Sequence, residues 1–249
     1  VATTASSFSM PECVLGITPD VGATDFLSSE VMPGNIGRWM LLTGARLTAP
    51  LMAATGLATH SITSEEVDAL CVRLMQCRDT SEVDAALAEE AAASASLANS
   101  ARVELQMLEE VTSRVFSTDL EEIDKKLAAE EVAAQTANDD WRIAWAQEAR
   151  AKLARGCPVA LLAADECSRA VLGELNTRRS KALGMELEIN QVLAGRADFQ
   201  EGVSCAVGTK KGEAPQWEHG SVQAATADSK IEELLGLLRK AKPLSGNSA

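Results

Sequence analysis

Glu12 and Asp20 are the two side chains whose type and setting suggest chemistry. They lie eight residues apart within Ser9 to Gly44, the one stretch where glycine, proline and carboxylates are dense. Carboxylates that meet can divide the work of a reaction, because each raises the other's pKa and one can activate a water that the other helps to position. Pro11 pushes Met10 toward extended geometry, and Ser7, Phe8, Ser9 and Met10 alternate as a short half-buried strand does. Gly16, Pro19 and Gly22 punctuate the turns that follow, and Pro19-Asp20 has the form of a turn or a helix start. Spacing leaves two arrangements open: the acids face each other, or Glu12 is an exposed strand-end charge and Asp20 an N-cap.

The order of these residues adds to that reading. Phe8-x-Met10-Pro11-Glu12, Gly16, Pro19-Asp20-Val21-Gly22, Phe26-Leu27, Leu42-Thr43-Gly44-x-Arg46-Leu47 and Gly56-x-Ala58-Thr59-His60 resemble the crotonase (enoyl-CoA hydratase/isomerase) superfamily. Within it they are most similar to the 3-hydroxyisobutyryl-CoA hydrolase branch. Met185-Glu186, Asp198-Phe199-x-Glu201-Gly202-Val203 and Pro215-x-Trp217 follow in that branch's order. The resemblance runs from Phe8 to Trp217, dense at both ends and sparse between.

The resemblance implies a fold class that is mainly α with a few short strands: the C-terminal part of a crotonase-type α/β fold followed by a helical body. It divides the chain into 1–62, the end of the crotonase core with both motifs, and 63–249, a helical region. It makes Glu12 the base or nucleophile for thioester cleavage and Asp20 its partner, with acyl-CoA as substrate and no cofactor. Thioester hydrolysis also needs donors for the developing oxyanion. The family supplies these from strand-and-helix repeats upstream of Met-Pro-Glu, so hydrolysis is expected only when another chain provides that half. The family's glycine run reads Ala23-Thr24-Asp25 here, and is expected to add bulk and charge at the pocket.

Two further readings stand beside the hydrolase. One is a catalytically silent subunit of a large mitochondrial assembly, the mitochondrial ribosome or a respiratory complex. The other is a hydratase or isomerase of a different acyl-CoA. The family's usual compartment implies the mitochondrial matrix, and small, hydroxyl-rich Val1 to Ser9 is compatible with a removed presequence.

Composition narrows the partners. With 23 basic and 36 acidic residues the formal charge is -13, which argues against binding phosphate backbones or anionic membrane surfaces. No apolar run is long enough for a membrane span. Six cysteines without a C-x-x-C pair, and only two histidines, make a zinc site improbable and predict reduced, mostly buried thiols. His60 has no Ser or Cys nucleophile beside it and reads as a core or boundary residue. Lys210-Lys211 lacks the ending of a phosphate loop.

The elements that must position the acids are mostly helical. Aromatics are 3% and alanine is abundant, favouring helices packed through small residues. Asn35 to Gly44 predicts a capped helix and Leu51 to Ala58 a short buried one. Thr63-x-x-Glu66 is a capping box before a helix with Val67, Leu70, Cys71, Leu74 and Met75 on one face. Asp84 to Ala101 reads as helix or loose linker. Leu108, Val111 and Val115 mark another helical face. Thr118-x-x-Glu121 opens a helix, and Ala128 to Arg155 reads as one long helical run with Trp141 and Trp145 packed at i,i+4. Val159 to Leu172 and Lys181 to Leu193 predict two more. Gly195 to Gly202 reads as a loop tied to backbone amides by Asp198 and Glu201. A last helix carries Ile231, Leu234, Leu235 and Leu238, and Pro243 to Ala249 is expected to be disordered.

Overall fold

Alanine-rich, aromatic-poor segments bury little side-chain volume per strand and favour close helix packing. The computed structural model, which describes residues 1–28, 32–88, 91–171 and 178–240, is accordingly mainly helical. Its strands have two residues each: β1 (Ala2–Thr3), β2 (Ser7–Phe8), β3 (Leu47–Thr48) and β4 (Ser61–Ile62). The helices are α1 (Ala23–Leu27), α2 (Ile36–Thr43), α3 (Ala49–Ala54), α4 (Val67–Gln76), α5 (Thr80–Ala88), α6 (Ala91–Ser100) and α7 (Arg102–Val115). They continue with α8 (Leu120–Ala137), α9 (Asp140–Arg155), α10 (Pro158–Val171), α11 (Arg178–Leu193), α12 (Ala197–Ala206), α13 (Val222–Thr226) and α14 (Ser229–Lys240).

The chain forms two compact units, Val1–Ser9 with Arg46–Glu110, and Met10–Ala45 with Val111–Ala249; neither ends at residue 62. In the first unit β1 runs parallel to β4, and β2 pairs antiparallel with β3, placing Phe8 opposite Leu47. The capping box forms: the Thr63 amide and hydroxyl both donate to Glu66 Oε2, at 2.8 and 2.9 Å. Of the expected inward face of α4 only Leu70 is buried, while Cys71 and Met75 are exposed. Asp84 to Ala101 is helical in its described parts, as α5 and α6.

In the second unit α10, α11, α13 and α14 close around Val159, Ala163, Met185, Ile189, Leu193, Ile231, Leu235 and Leu238. The long run after Ala128 is interrupted. Asn138 adopts φ 55°, ψ 42°, a left-handed conformation that asparagine tolerates, and Asp139 then caps α9 by accepting from the Arg142 amide at 3.1 Å. The result is an α8–α9 hairpin. Its inner side holds Glu130 between Arg142 (2.5 Å) and Arg114 (2.7 Å). Burial alone would raise the Glu130 pKa, but the two guanidiniums together pull it below the ordinary carboxylate value near 4.5. A depressed folded pKa contributes stability above the unfolded value and loses it as pH falls through the folded one. Glu130→Gln should therefore remove part of the acid-side loss of stability, which urea titrations below pH 4.5 would read.

Several expectations are revised. Asp119, not Thr118, occupies the N-cap of α8, because the Thr118 carbonyl accepts from Arg38 Nη1 at 2.6 Å. Trp145 is a core residue, as expected, with its ring centroid 6.2 Å from that of Trp39 and 6.3 Å from that of Phe116. Gly195 to Gly202 is not a loop, since α12 starts at Ala197. Asp198 in its first turn suits the positive helix end, and Gly202 is inside the helix for the packing reason given below. Leu172 and the 243–249 tail lie outside the described residues. Cys13, Cys157, Cys167 and Cys205 are buried, Cys71 is exposed and Cys77 is intermediate, all as free thiols. Burial pushes the Cys157 thiol up to about 12, so it stays protonated and inert at neutral pH. Among the described residues no cluster could hold a metal ion, and no helix is long and apolar enough to cross a membrane.

Candidate active site around Glu12, Asp20 and Glu186

Glu12 opens a single 3-10 turn, Glu12–Leu15, that ends at left-handed Gly16. Two close approaches fix this turn. A Cβ on Gly16 would lie 2.9 Å from the Asp198 carbonyl, and one on Gly202 would lie 2.6 Å from the Leu15 carbonyl carbon and oxygen. Helix α12 thus rests on the turn backbone to backbone. On another side the Cys157 amide, just before α10, donates to the Cys13 carbonyl at 2.9 Å. In most helices Gly→Ala is stabilising. Here Gly202→Ala should instead cost about 1–3 kcal/mol through overpacking, a reversal of sign that thermal or urea unfolding would detect.

The turn around Asp20 is held from α11. Asn190 Oδ1 accepts from the Thr18 amide and hydroxyl, both at 2.9 Å, and its Nδ2 donates to the Thr18 carbonyl at 2.9 Å. Four residues earlier on the same helix, Glu186 Oε2 accepts from the Gly22 amide at 2.7 Å. Its Oε1 accepts from the Thr24 amide at 2.9 Å and the Thr24 hydroxyl at 2.6 Å. Asp20 does not cap α1: left-handed Gly22 occupies the N-cap, and the carboxylate of Glu186 satisfies that helix start. Val21, preceding it, has φ 55°, which is strained for a β-branched residue.

These contacts bring the three acids into one field. Burial raises the Glu12 pKa first, with the charges of Asp20 and Glu186 adding to it, and Glu12 Oε2 is buried without a hydrogen-bond partner among the described residues. Burial also raises Glu186, with the charge of Asp20 contributing. A cavity of about 510 Å³ opens beside Asp20 and Glu186, lined by these two and Asn190 and rimmed by Val21, Leu183 and Leu187; Glu12 is not among its lining residues. A carboxyl whose pKa is raised and whose oxygen has no partner is suited to exchanging a proton with a substrate or a water, which is what acyl transfer requires.

Of the two expected site residues, Asp20 lines the cavity, while Glu12 is linked to it through the charge that Asp20 exerts on its carboxyl. Ala23, Thr24 and Asp25 do not fill the cavity: they point inward at 0%, 0% and 5% exposure. Thr24 holds Glu186, and Asp25 pairs with Arg179 at 3.5 Å. Asp198 and Glu201 do tie backbone amides, accepting from Glu218 at 2.8 Å and Gln216 at 3.0 Å. Lys210 pairs with Glu201. His60 is half-buried and bonds Thr59 through Nδ1 at 2.9 Å. Sequence reasoning did not find the roles of Glu186 and Asn190; their signal is a polar pair at i,i+4 on a helix whose Met185, Ile189 and Leu193 are core.

The sequence profile of the enoyl-CoA hydratase/isomerase family matches residues 1–235. The chain is 31% identical over 233 residues to 3-hydroxyisobutyryl-CoA hydrolase-like protein 1, mitochondrial, of Arabidopsis thaliana, covering 92% of this chain and 54% of that protein. It is 28% identical over 254 residues to the mitochondrial 3-hydroxyisobutyryl-CoA hydrolase of Dictyostelium discoideum, covering 99% and 59%. The chain thus spans a little over half the length of these relatives. An enoyl-CoA hydratase from Rhodobacter sphaeroides superposes with a TM-score of 0.69 at 26% identity, over 97% of this chain and 61% of that one. A carnitinyl-CoA dehydratase from Mycobacterium thermoresistibile, at 22% identity and a TM-score of 0.70 over 98% and 61%, shares the fold. The chain belongs to the enoyl-CoA hydratase/isomerase (crotonase) superfamily, close to its 3-hydroxyisobutyryl-CoA hydrolase branch.

Proposed function

We propose that the chain contributes the carboxylate side of an acyl-CoA thioester hydrolase site, acting on 3-hydroxyisobutyryl-CoA or a close short-chain relative in the mitochondrial matrix. The observation that supports this reading is Glu12: a buried oxygen without a hydrogen-bond partner among the described residues, and a pKa raised by burial and by the charges of Asp20 and Glu186. In its general-base form, ionised Glu12 takes a proton as water oxygen adds to the thioester carbonyl carbon. Collapse of the tetrahedral adduct breaks the C–S bond, and Glu12 returns the proton to the departing thiolate. The products are the free acid and CoA thiol. A Glu12 pKa above the ordinary value suits both transfers, and Asp20 raises it further.

The oxyanion must be held by donors outside this turn. The Gly22 and Thr24 amides already donate to Glu186. Backbone amides from the part of the fold that lies outside residues 1–249 are the natural complement, and exposed Val21 and Leu187 on the cavity rim suit coverage by protein. The same rim supports the second reading, a silent subunit packed into a larger mitochondrial assembly. Thiol release from 3-hydroxyisobutyryl-CoA by this chain, mixed with the upstream half of a related hydrolase, tests the proposal. Release that Glu12→Ala abolishes supports it, and equal rates for the two would end it in favour of the silent subunit.

A further inference from the structure

We propose that Glu186 and Asn190 are positioning residues that clamp the Thr18–Thr24 turn at both ends and so fix the Asp20 carboxylate beside Glu12. As a statement about catalysis this rests on the hydrolase reading above; as a statement about geometry it stands without it. The two side chains are four residues apart on α11, whose adjoining face is anchored in the core through Met185 and Ile189. Between them they satisfy six backbone and hydroxyl groups of the turn: three at Thr18, two at Thr24 and one at Gly22. Asp20 lies between the clamped ends. The segment between the clamps also contains the strained φ of Val21 and the left-handed Gly22. A seven-residue turn carrying strain keeps its shape only where its surroundings over-determine it, and here the over-determination comes from one rigid helix.

The clamp has a chemical logic. A carboxylate receiving three donors holds the amides of Gly22 and Thr24 more firmly than a neutral side chain would. Its own charge also faces Asp20 and Glu12, so the group that shapes the turn belongs to the same electrostatic field. Asn190 adds no charge, which allows geometry and electrostatics to be separated. If Asn190→Ala releases the Thr18 end, Asp20 moves away from Glu12, and the Glu12 pKa drops although no charge has been removed. Glu186→Gln turns one acceptor into a donor facing another donor, and frees the Thr24 end.

The test combines three measurements on the wild type, Asn190→Ala and Glu186→Gln. Hydrogen exchange should accelerate at the Gly22 and Thr24 amides in Glu186→Gln and at the Thr18 amide in Asn190→Ala, with the core amides of α11 unchanged. A carbon-13 carboxyl titration should show the Glu12 pKa lowered in Asn190→Ala. In the complemented hydrolysis assay both variants should lose about 10- to 100-fold in kcat with KM within about twofold, the pattern of a misplaced group. If Glu186→Gln does not fold, Thr24→Val removes a single clamp bond and serves in its place. Unchanged exchange together with an unchanged Glu12 titration would overturn the clamp. Altered exchange and titration with an inactive wild type would sustain the clamp and sink the hydrolase reading instead.

Discussion

Glu12→Gln should lower acyl-CoA hydrolysis by about 10²- to 10⁴-fold, the usual worth of a positioned proton acceptor. The same change should make the folded chain more stable at neutral pH. The reason is the sign of the Glu12 shift. Burial, then Asp20 and Glu186, hold its folded pKa above the ordinary value near 4.5. A raised folded pKa means that the native state binds the proton more tightly, so the stabilisation is complete below the unfolded value and is lost as pH rises through the folded one. Glutamine keeps the shape and never ionises, so it escapes that loss. Urea midpoints of wild type and variant should nearly coincide at pH 4.5 and diverge above it, with the variant higher. A variant that is inactive and also less stable at neutral pH would mean that Glu12 is a structural ligand rather than a poised acid.

Arg38→Met should destabilise the second unit by about 3–5 kcal/mol, the cost of leaving a buried charge without its partner. Arg38 lies in α2, and its Nη2 is 2.5 Å from Asp165 Oδ1, with side-chain exposures of 11% and 9%. Its Nε reaches the same oxygen at 2.7 Å, while Nη1 donates to the carbonyls of Phe116 and Thr118. One guanidinium therefore ties α2, α10 and the turn before α8. Removing it strands two carbonyls and leaves Asp165 to Arg169, which is half-exposed and shared with Asp119. Adding Asp165→Leu should recover part of the loss, because it deletes the stranded charge, but not the carbonyl component. Equal stability of wild type and Arg38→Met by urea unfolding would contradict this account of the network.

The parts of this structure legible in the sequence are those governed by local rules. Thr63 and Glu66 form their capping box, Gly44 ends α2 with φ 61°, and α14 buries Ile231, Leu235 and Leu238 as its spacing demands. Glu12 and Asp20 were visible because proline and glycine punctuate them and because their order matches a family. What escaped depends on partners remote in the chain. The Glu186 bond to Gly22 spans 164 residues, and no periodicity can announce it. Gly202 looks like a loop residue until Leu15 is seen against it. Asn138 splits a long helical pattern because one left-handed residue outweighs the propensity of its alanine neighbours. Ala23 to Asp25 were expected at the pocket because a motif gives residue order but not which way a helix turns its faces. Both sides of α1 were settled by Glu186 and Arg179, from another helix.

Titration of the Glu12 carboxyl by carbon-13 NMR, in the wild type and in Asp20→Asn, tests the shared site most directly. A single group titrating above the ordinary glutamate range, and moving down when Asp20 loses its charge, is the predicted result. A carboxyl that titrates as in a peptide and ignores Asp20→Asn would contradict it.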